Sequence, residues 1–154
     1  MTPILLVDAL VKRIKQIVHD FDLETKKDDL TKTPEVYAGY LPPKLKSREE
    51  DDFPYILVRF LTESDNENDV ASIRLIIGTF SEDEQDGWRD PLNIATRIKI
   101  ALKKSPALDS FSLRDRIKIE LFEEQPYPYW FAMMDMDFDM PQVQLDWSEN
   151  GLDY

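Results

Sequence analysis

Three carboxylates recur at every second position in "WFAMMDMDFDM" (residues 130–140): Asp135, Asp137 and Asp139, with Met136 and Phe138 between them. Evenly spaced aspartates could hold a divalent cation, and a metal-dependent hydrolase would use Asp135 and Asp137. The spacing argues against this. In a strand alternate side chains share a face, so these carboxylates stand about 6.5–7 Å apart along the chain. One ion would then need further oxygen ligands converging from a neighbouring strand. Ala132, Met134, Met136, Phe138 and Met140 take the opposite face from Met133 and the aspartates. The best reading is a strand with one face in the core and one half-solvated. A negative surface turned towards something that must not adhere is a further reading.

Other candidates are weighed the same way. "FSEDEQDGW" clusters Glu82, Asp83, Glu84 and Asp86. Burial could split their acidities for acid–base work, but beside Gly87 and ahead of a helix they read as a solvated turn. Asp86 and Asp90 also suit a helix N-terminus. The segment beginning at Asp65 imitates a calcium loop, but its sixth and twelfth positions are Val70 and Ile76 where the pattern needs Gly and Glu, so it reads as a hairpin loop. His19, the single histidine, has no nucleophile elbow to serve, and the four glycines form no phosphate-cradling loop. No catalytic, metal-binding or cofactor-binding residue is predicted, and no enzyme. "QPYPYWF" (125–131) crowds Tyr127, Tyr129, Trp130 and Phe131 between prolines, either as local packing or as an anchor in a subunit interface.

The elements that must position these residues follow from periodicity. Thr2-Pro3 starts a helix over about Pro3–Phe21, with Val7, Leu10, Val11, Ile14, Ile17, Val18 and Phe21 on one face. Residues 22–34 read as a linker. "EVYAGYLPPK" reads as a short strand ending at Pro42-Pro43, and 44–52 as a mobile loop. Strands at about Tyr55–Thr62 and Val70–Phe80 form an antiparallel hairpin. Asp90-Pro91 reads as the N-cap and first residue of a second helix that ends at Lys104, stopped by Ser105-Pro106. "RIKIELFEE" alternates Ile117, Ile119 and Leu121 against Lys118 and Glu120. The expected order is α-β-β-β-α-β-β in a single domain, 1–154. This is the α+β class: one largely antiparallel sheet of about five strands with two helices packed on it. Val143, Leu145 and Trp147 are apolar anchors in the tail, and 148–154 should be mobile.

A formal net charge of −12 on 154 residues disfavours gripping DNA or an anionic membrane by charge. The absence of cysteine removes disulfides and thiolate metal sites. No apolar run approaches the roughly 20 residues of a membrane span, and the N-terminal segment reads as a helix rather than a signal peptide. A soluble, cytosolic protein is expected.

Three segments, "DFPYILVRFLTESD", "IRLIIGTFSEDEQDGWRDPLNIATRIKIAL" and "IELFEEQPYPYWFAMMDMDFDMP", resemble the tail terminator (tail-completion) proteins of long-tailed bacteriophages and prophages. There a strand runs into "G-T-[YF]-S-E-D" and a tryptophan-led helix, here headed by Trp88. The likeness spans about residues 35–141. It implies a structural virion protein, assembled in the host bacterial cytoplasm, that forms a ring, commonly a hexamer. The ring caps the tail tube protein, stops its polymerisation and meets the head–tail connector, while DNA passes through without specific binding. Tyr127, Tyr129, Trp130 and Trp88 are then candidate interface residues. Asp135, Asp137, Asp139, Glu82, Asp83 and Asp86 are candidates for an acidic lumen or solvent face. Another neck or head-completion protein of the same particle is the alternative.

Overall fold

The computed structural model describes residues 2–26, 30–43 and 52–142. Helix α1 (Pro3–Val18) begins as the sequence dictates: the Thr2 hydroxyl accepts from the Leu5 amide, with Pro3 in the first turn. It buries Leu6, Leu10, Ile14 and Val18, one residue per turn. It ends before the expected Phe21. His19 Nδ1 donates to the Gln16 carbonyl at 2.7 Å, closing the last turn. Phe21 leaves the helix to stack under Arg97, whose guanidinium lies 4.3 Å from the ring centre.

The expected linker instead contains a two-stranded ribbon, β1 (Leu23–Glu24) with β2 (Thr31–Lys32). β3 (Glu35–Ala38) stops earlier than expected, because Gly39 adopts φ +79°, a left-handed conformation open to glycine. β4 (Tyr55–Asp65) and β5 (Asp69–Phe80) form the expected antiparallel hairpin, longer only at its turn, where β4 runs on from Thr62 to Asp65 and β5 starts at Asp69. α2 (Arg89–Lys104) ends at Ser105 as expected, but Asp90-Pro91 lies inside its first turn instead of capping it. The N-cap position is Trp88, which makes no side-chain cap bond, and upstream of it Asp83 Oδ1 accepts from the Gln85 and Asp86 amides, each at 3.0 Å, and fixes the turn that leads into α2. β6 (Ala107–Leu108), β7 (Phe111–Leu121) and β8 (Tyr129–Asp139) follow.

Among the described residues the main sheet has six strands, in the order β3-β4-β5-β8-β7-β6. β3 runs parallel to β4, and every other pairing is antiparallel. Both helices pack on one face. That face carries Ile56 and Val58 from β4, Ile73, Leu75 and Ile77 from β5, and Met134, Met136 and Phe138 from β8. These meet Ile94, Ala95, Ile98 and Leu102 of α2 and the buried stripe of α1. Fully burying each large aliphatic residue contributes about 1.5–3 kcal/mol, so the period-2 stripe of β8 is a main anchor of the fold. The chain is α+β as expected, with six sheet strands in place of about five. Residues 44–51 of the loop expected at 44–52, and the tail residues Val143, Leu145, Trp147 and 148–154, lie outside the described residues.

Candidate interaction surface

β8 places Asp135, Asp137 and Asp139 on the face away from the helices, each half-exposed. Register then assigns each a separate partner on a neighbouring strand. Asp135 lies opposite Arg74 of β5 and takes a bidentate pair, Nε to Oδ1 at 2.8 Å and Nη2 to Oδ2 at 3.0 Å. Asp137 lies opposite Ser72, whose hydroxyl donates to it at 2.6 Å. Asp139 receives Nε and Nη2 of Arg114 from β7 at 3.0 and 2.9 Å. The carboxylates thus point to different cross-strand donors, not to a common centre. Among the described residues no group of three or more carboxylate or imidazole side chains is arranged to hold a metal ion. Arg74 and Asp135 are each about one-third exposed (34% and 33%), so solvent screens the pair and its net contribution is about 0–1 kcal/mol. The Arg74 guanidinium is held still more firmly protonated by its hydrogen bonds to Asp135.

The acidic turn and the aromatic hairpin tip, separate in the sequence, form one corner. Trp130 Nε1 donates to the Ser81 carbonyl at 3.0 Å, and the Tyr127 hydroxyl to the Glu82 carbonyl at 2.9 Å. The Ser81 amide donates back to the Pro128 carbonyl at 2.9 Å. Gly87 is the contact point: a Cβ there would lie 2.4 Å from Trp130 Cε2 and 2.5 Å from its Nε1. The ribbon closes the corner from the side, as Glu24 accepts from the Ser81 hydroxyl at 3.2 Å and the Glu82 amide at 3.4 Å. Trp130 is therefore core, 8% exposed; strand parity puts it on the face of Ala132 and Met134. As an interface candidate it is withdrawn from the protomer's surface, and Tyr127 (48% exposed) is the ring this tip presents. Trp88 is half-buried, its Nε1 donating to the Gln85 carbonyl at 2.9 Å.

Tyr129 and Phe131 point to the outer face and join an aromatic cluster with Phe53, Tyr55, Phe80 and Phe122. Phe53 sits 4.5 Å from Tyr129 and 4.9 Å from Tyr55, centre to centre, and Phe122 stacks on Phe131 at 5.2 Å. Gly78 makes room for it, since a Cβ would meet the Tyr55 and Phe53 rings at 2.8 and 2.9 Å. The outer face is thus divided into an aromatic end and a charged end.

Negative charge collects at the corner. Glu82, Asp83, Glu84 and Asp86 are all exposed, and of these Asp86 pairs with Arg89 at 3.1 Å. Burial, then the Glu24 and Asp83 charges, push the Asp90 carboxyl above its ordinary value. The Tyr127 hydroxyl is likewise raised, by desolvation first and then by Glu84, Glu82, Asp83 and Glu24. Glycines 78 and 87 and the tie between turn and tip were not found by sequence reasoning. The only available signal was the pairing of small residues with large aromatics elsewhere in the chain. No protein-family profile matches the chain, and no characterised protein matches it in sequence.

Proposed function

We propose that the chain is a structural virion protein of the tail-terminator kind, a ring-forming subunit that caps a phage tail tube, stops its growth and joins it to the head connector. The observation that carries this reading is the unity of the resembling segments. The glycine-to-tryptophan stretch 78–88 is bonded to the 125–131 tip through Ser81, Glu82 and Gly87, so its pattern is that of a fold and not of a reaction centre. The cross-strand pairing of Asp135, Asp137 and Asp139 supports a structural role for the same reason. In the ring, Tyr127 and the acidic turn 82–86 form a rigid ledge for a neighbouring subunit or the tube. Where that ledge meets the lumen, the exposed carboxylates of Glu82, Asp83 and Glu84 keep DNA phosphates from adhering. The Asp135 and Asp139 pairs leave little net charge on the sheet's outer face, so the repelling charge of this reading belongs to the corner.

Gold labelling of the chain in assembled particles tests the reading. Label at the junction of tail tube and connector is expected. Label on the head-side connector instead assigns the chain to the alternative, a head-completion protein. Label elsewhere removes both.

A further inference from the structure

The negative charge of the chain is unevenly spread. Residues 81–88 hold four carboxylates and no cation, and no Lys or Arg follows Lys118. The corner built from the turn and the β7–β8 tip therefore exposes Glu82, Asp83, Glu84, Glu123 and Glu124. None of these five is in an ion pair among the described residues. Tyr127 stands with them, 48% exposed, its hydroxyl on the Glu82 carbonyl.

The helix layer is the reverse. Residues 9–19 and 91–108 together hold seven cations and no carboxylate. Arg97 is taken by Asp20, and Lys103 reaches the Asp115 carbonyl. Arg13 crosses from α1 to the Ser105 carbonyl at 3.4 Å, which sets it at the C-terminal end of α2 beside Lys104. Lys12 lines a hollow with Arg13 there, and Asp109 shares it. Three cations, Lys12, Arg13 and Lys104, thus stand against one carboxylate, and none of the three is in an ion pair among the described residues. A second hollow, of about 560 Å³, is lined by Phe21, Arg97, Ile100 and Lys104 among others, with Ile100 exposed in it (47%). It offers an aromatic ring an apolar seat beside a cation.

We propose that the acidic corner of one copy docks on this helix end of a second copy, with Tyr127 seated against Ile100 and Phe21 and its neighbouring carboxylates facing Lys104, Lys12 and Arg13. One copy cannot satisfy itself. α2 starts at the corner, and its 16 residues carry Lys104 roughly 24 Å away along the helix axis. Corner against corner sets carboxylates together, and helix end against helix end sets cations together. The favoured contact is therefore head-to-tail, the kind that closes into a ring when its rotation allows. It thus rests on the ring reading and names the surface that receives the ledge. Five carboxylates meet three cations, so the excess at the rim stays in solvent and remains free to face the lumen.

The cysteine-free chain makes the test direct. Gln85→Cys in the turn and Gln16→Cys on α1 are placed on separate copies, mixed, and bridged with a short bismaleimide, both free and on tail tubes. A covalent dimer is expected from the mixture and not from either variant alone. Adding Lys12→Glu and Lys104→Glu to the helix copy lowers the yield at least about tenfold. Adding Glu84→Lys and Glu124→Lys to the corner copy as well restores it. Tyr127→Ala in the corner copy lowers the yield without moving the melt. No product from the mixture in either setting, a dimer from Gln85→Cys alone, or a yield indifferent to the charge reversals overturns the proposal. Cross-linking without arrest of tube growth refutes the ring reading while leaving the joint. Arrest without cross-linking does the reverse.

Discussion

Gly87→Ala loads the corner at its tightest point. The added methyl would stand 2.4 and 2.5 Å from Trp130 Cε2 and Nε1, and 2.8 Å from the Asp83 carbonyl oxygen. The ring and that carbonyl hem the position in on two sides. Trp130 is buried and tied to Ser81, so it cannot swing aside as a surface side chain would. Overpacking of this kind costs about 1–3 kcal/mol. Displacing the indole also breaks its hydrogen bond to Ser81, about 1 kcal/mol more. The sum, about 2–4 kcal/mol, corresponds to a fall in Tm of about 4–16 °C for a chain of this size. Urea melts of the wild type, Gly87→Ala, Trp130→Ala and the double variant measure it. Trp130→Ala removes the ring atoms that clash, so the double variant should cost at least about 1 kcal/mol less than the sum of the singles. A Gly87→Ala protein within about 0.5 kcal/mol of wild type, or strict additivity, would refute the claim that turn and tip are one packed unit.

Trp130→Ala should cost about 3–5 kcal/mol of protomer stability, whereas Tyr127→Ala should leave the melt nearly unchanged and weaken tube capping; comparing melts with capping efficiency separates core from contact. A double-mutant cycle on Arg74→Ala and Asp135→Ala should give a coupling of about 1 kcal/mol or less that shrinks as salt rises, and millimolar Mg²⁺ or Ca²⁺ should not move the Tm; a metal-dependent rise would mean that the aspartates do hold an ion. Asp90, an acid whose folded value is raised by burial, binds its proton more tightly when folded, so it weakens the fold as pH rises from its ordinary value of 3.8 through the folded one. Asp90→Asn should therefore stabilise the protein at pH 7, with the gain gone below about pH 4, as pH-dependent melts would show.

The strands of this fold were legible where one face is buried. In β8 and β7 a period of two leaves one solution, and the parity that buried Met134 and Phe138 also set the aspartates outward. What alternation cannot give is the partner across the strand. Arg74 and Arg114 are 61 and 25 residues from the aspartates they hold; register sets Arg74 opposite Asp135, and Arg114 reaches Asp139 from the irregular stretch of β7 between Leu113 and Ile117. Helix ends were misplaced where tertiary contacts overrode local rules. Phe21 left α1 for Arg97, and the turn that Asp83 fixes at Gln85 and Asp86 starts α2 at Arg89, which draws Asp90 inside the helix. The ribbon at β1 and β2 is two residues deep on each side, too short for any periodicity. Trp130 was legible in principle, since its parity is that of Ala132, but its place among exposed-looking tip residues concealed it.

Growth of tail tubes from purified tube protein, with and without this chain, tests the central claim most directly. The account predicts that substoichiometric amounts fix tube length and leave one end closed by a ring. Tubes that lengthen at the same rate and to the same extent in its presence would contradict it.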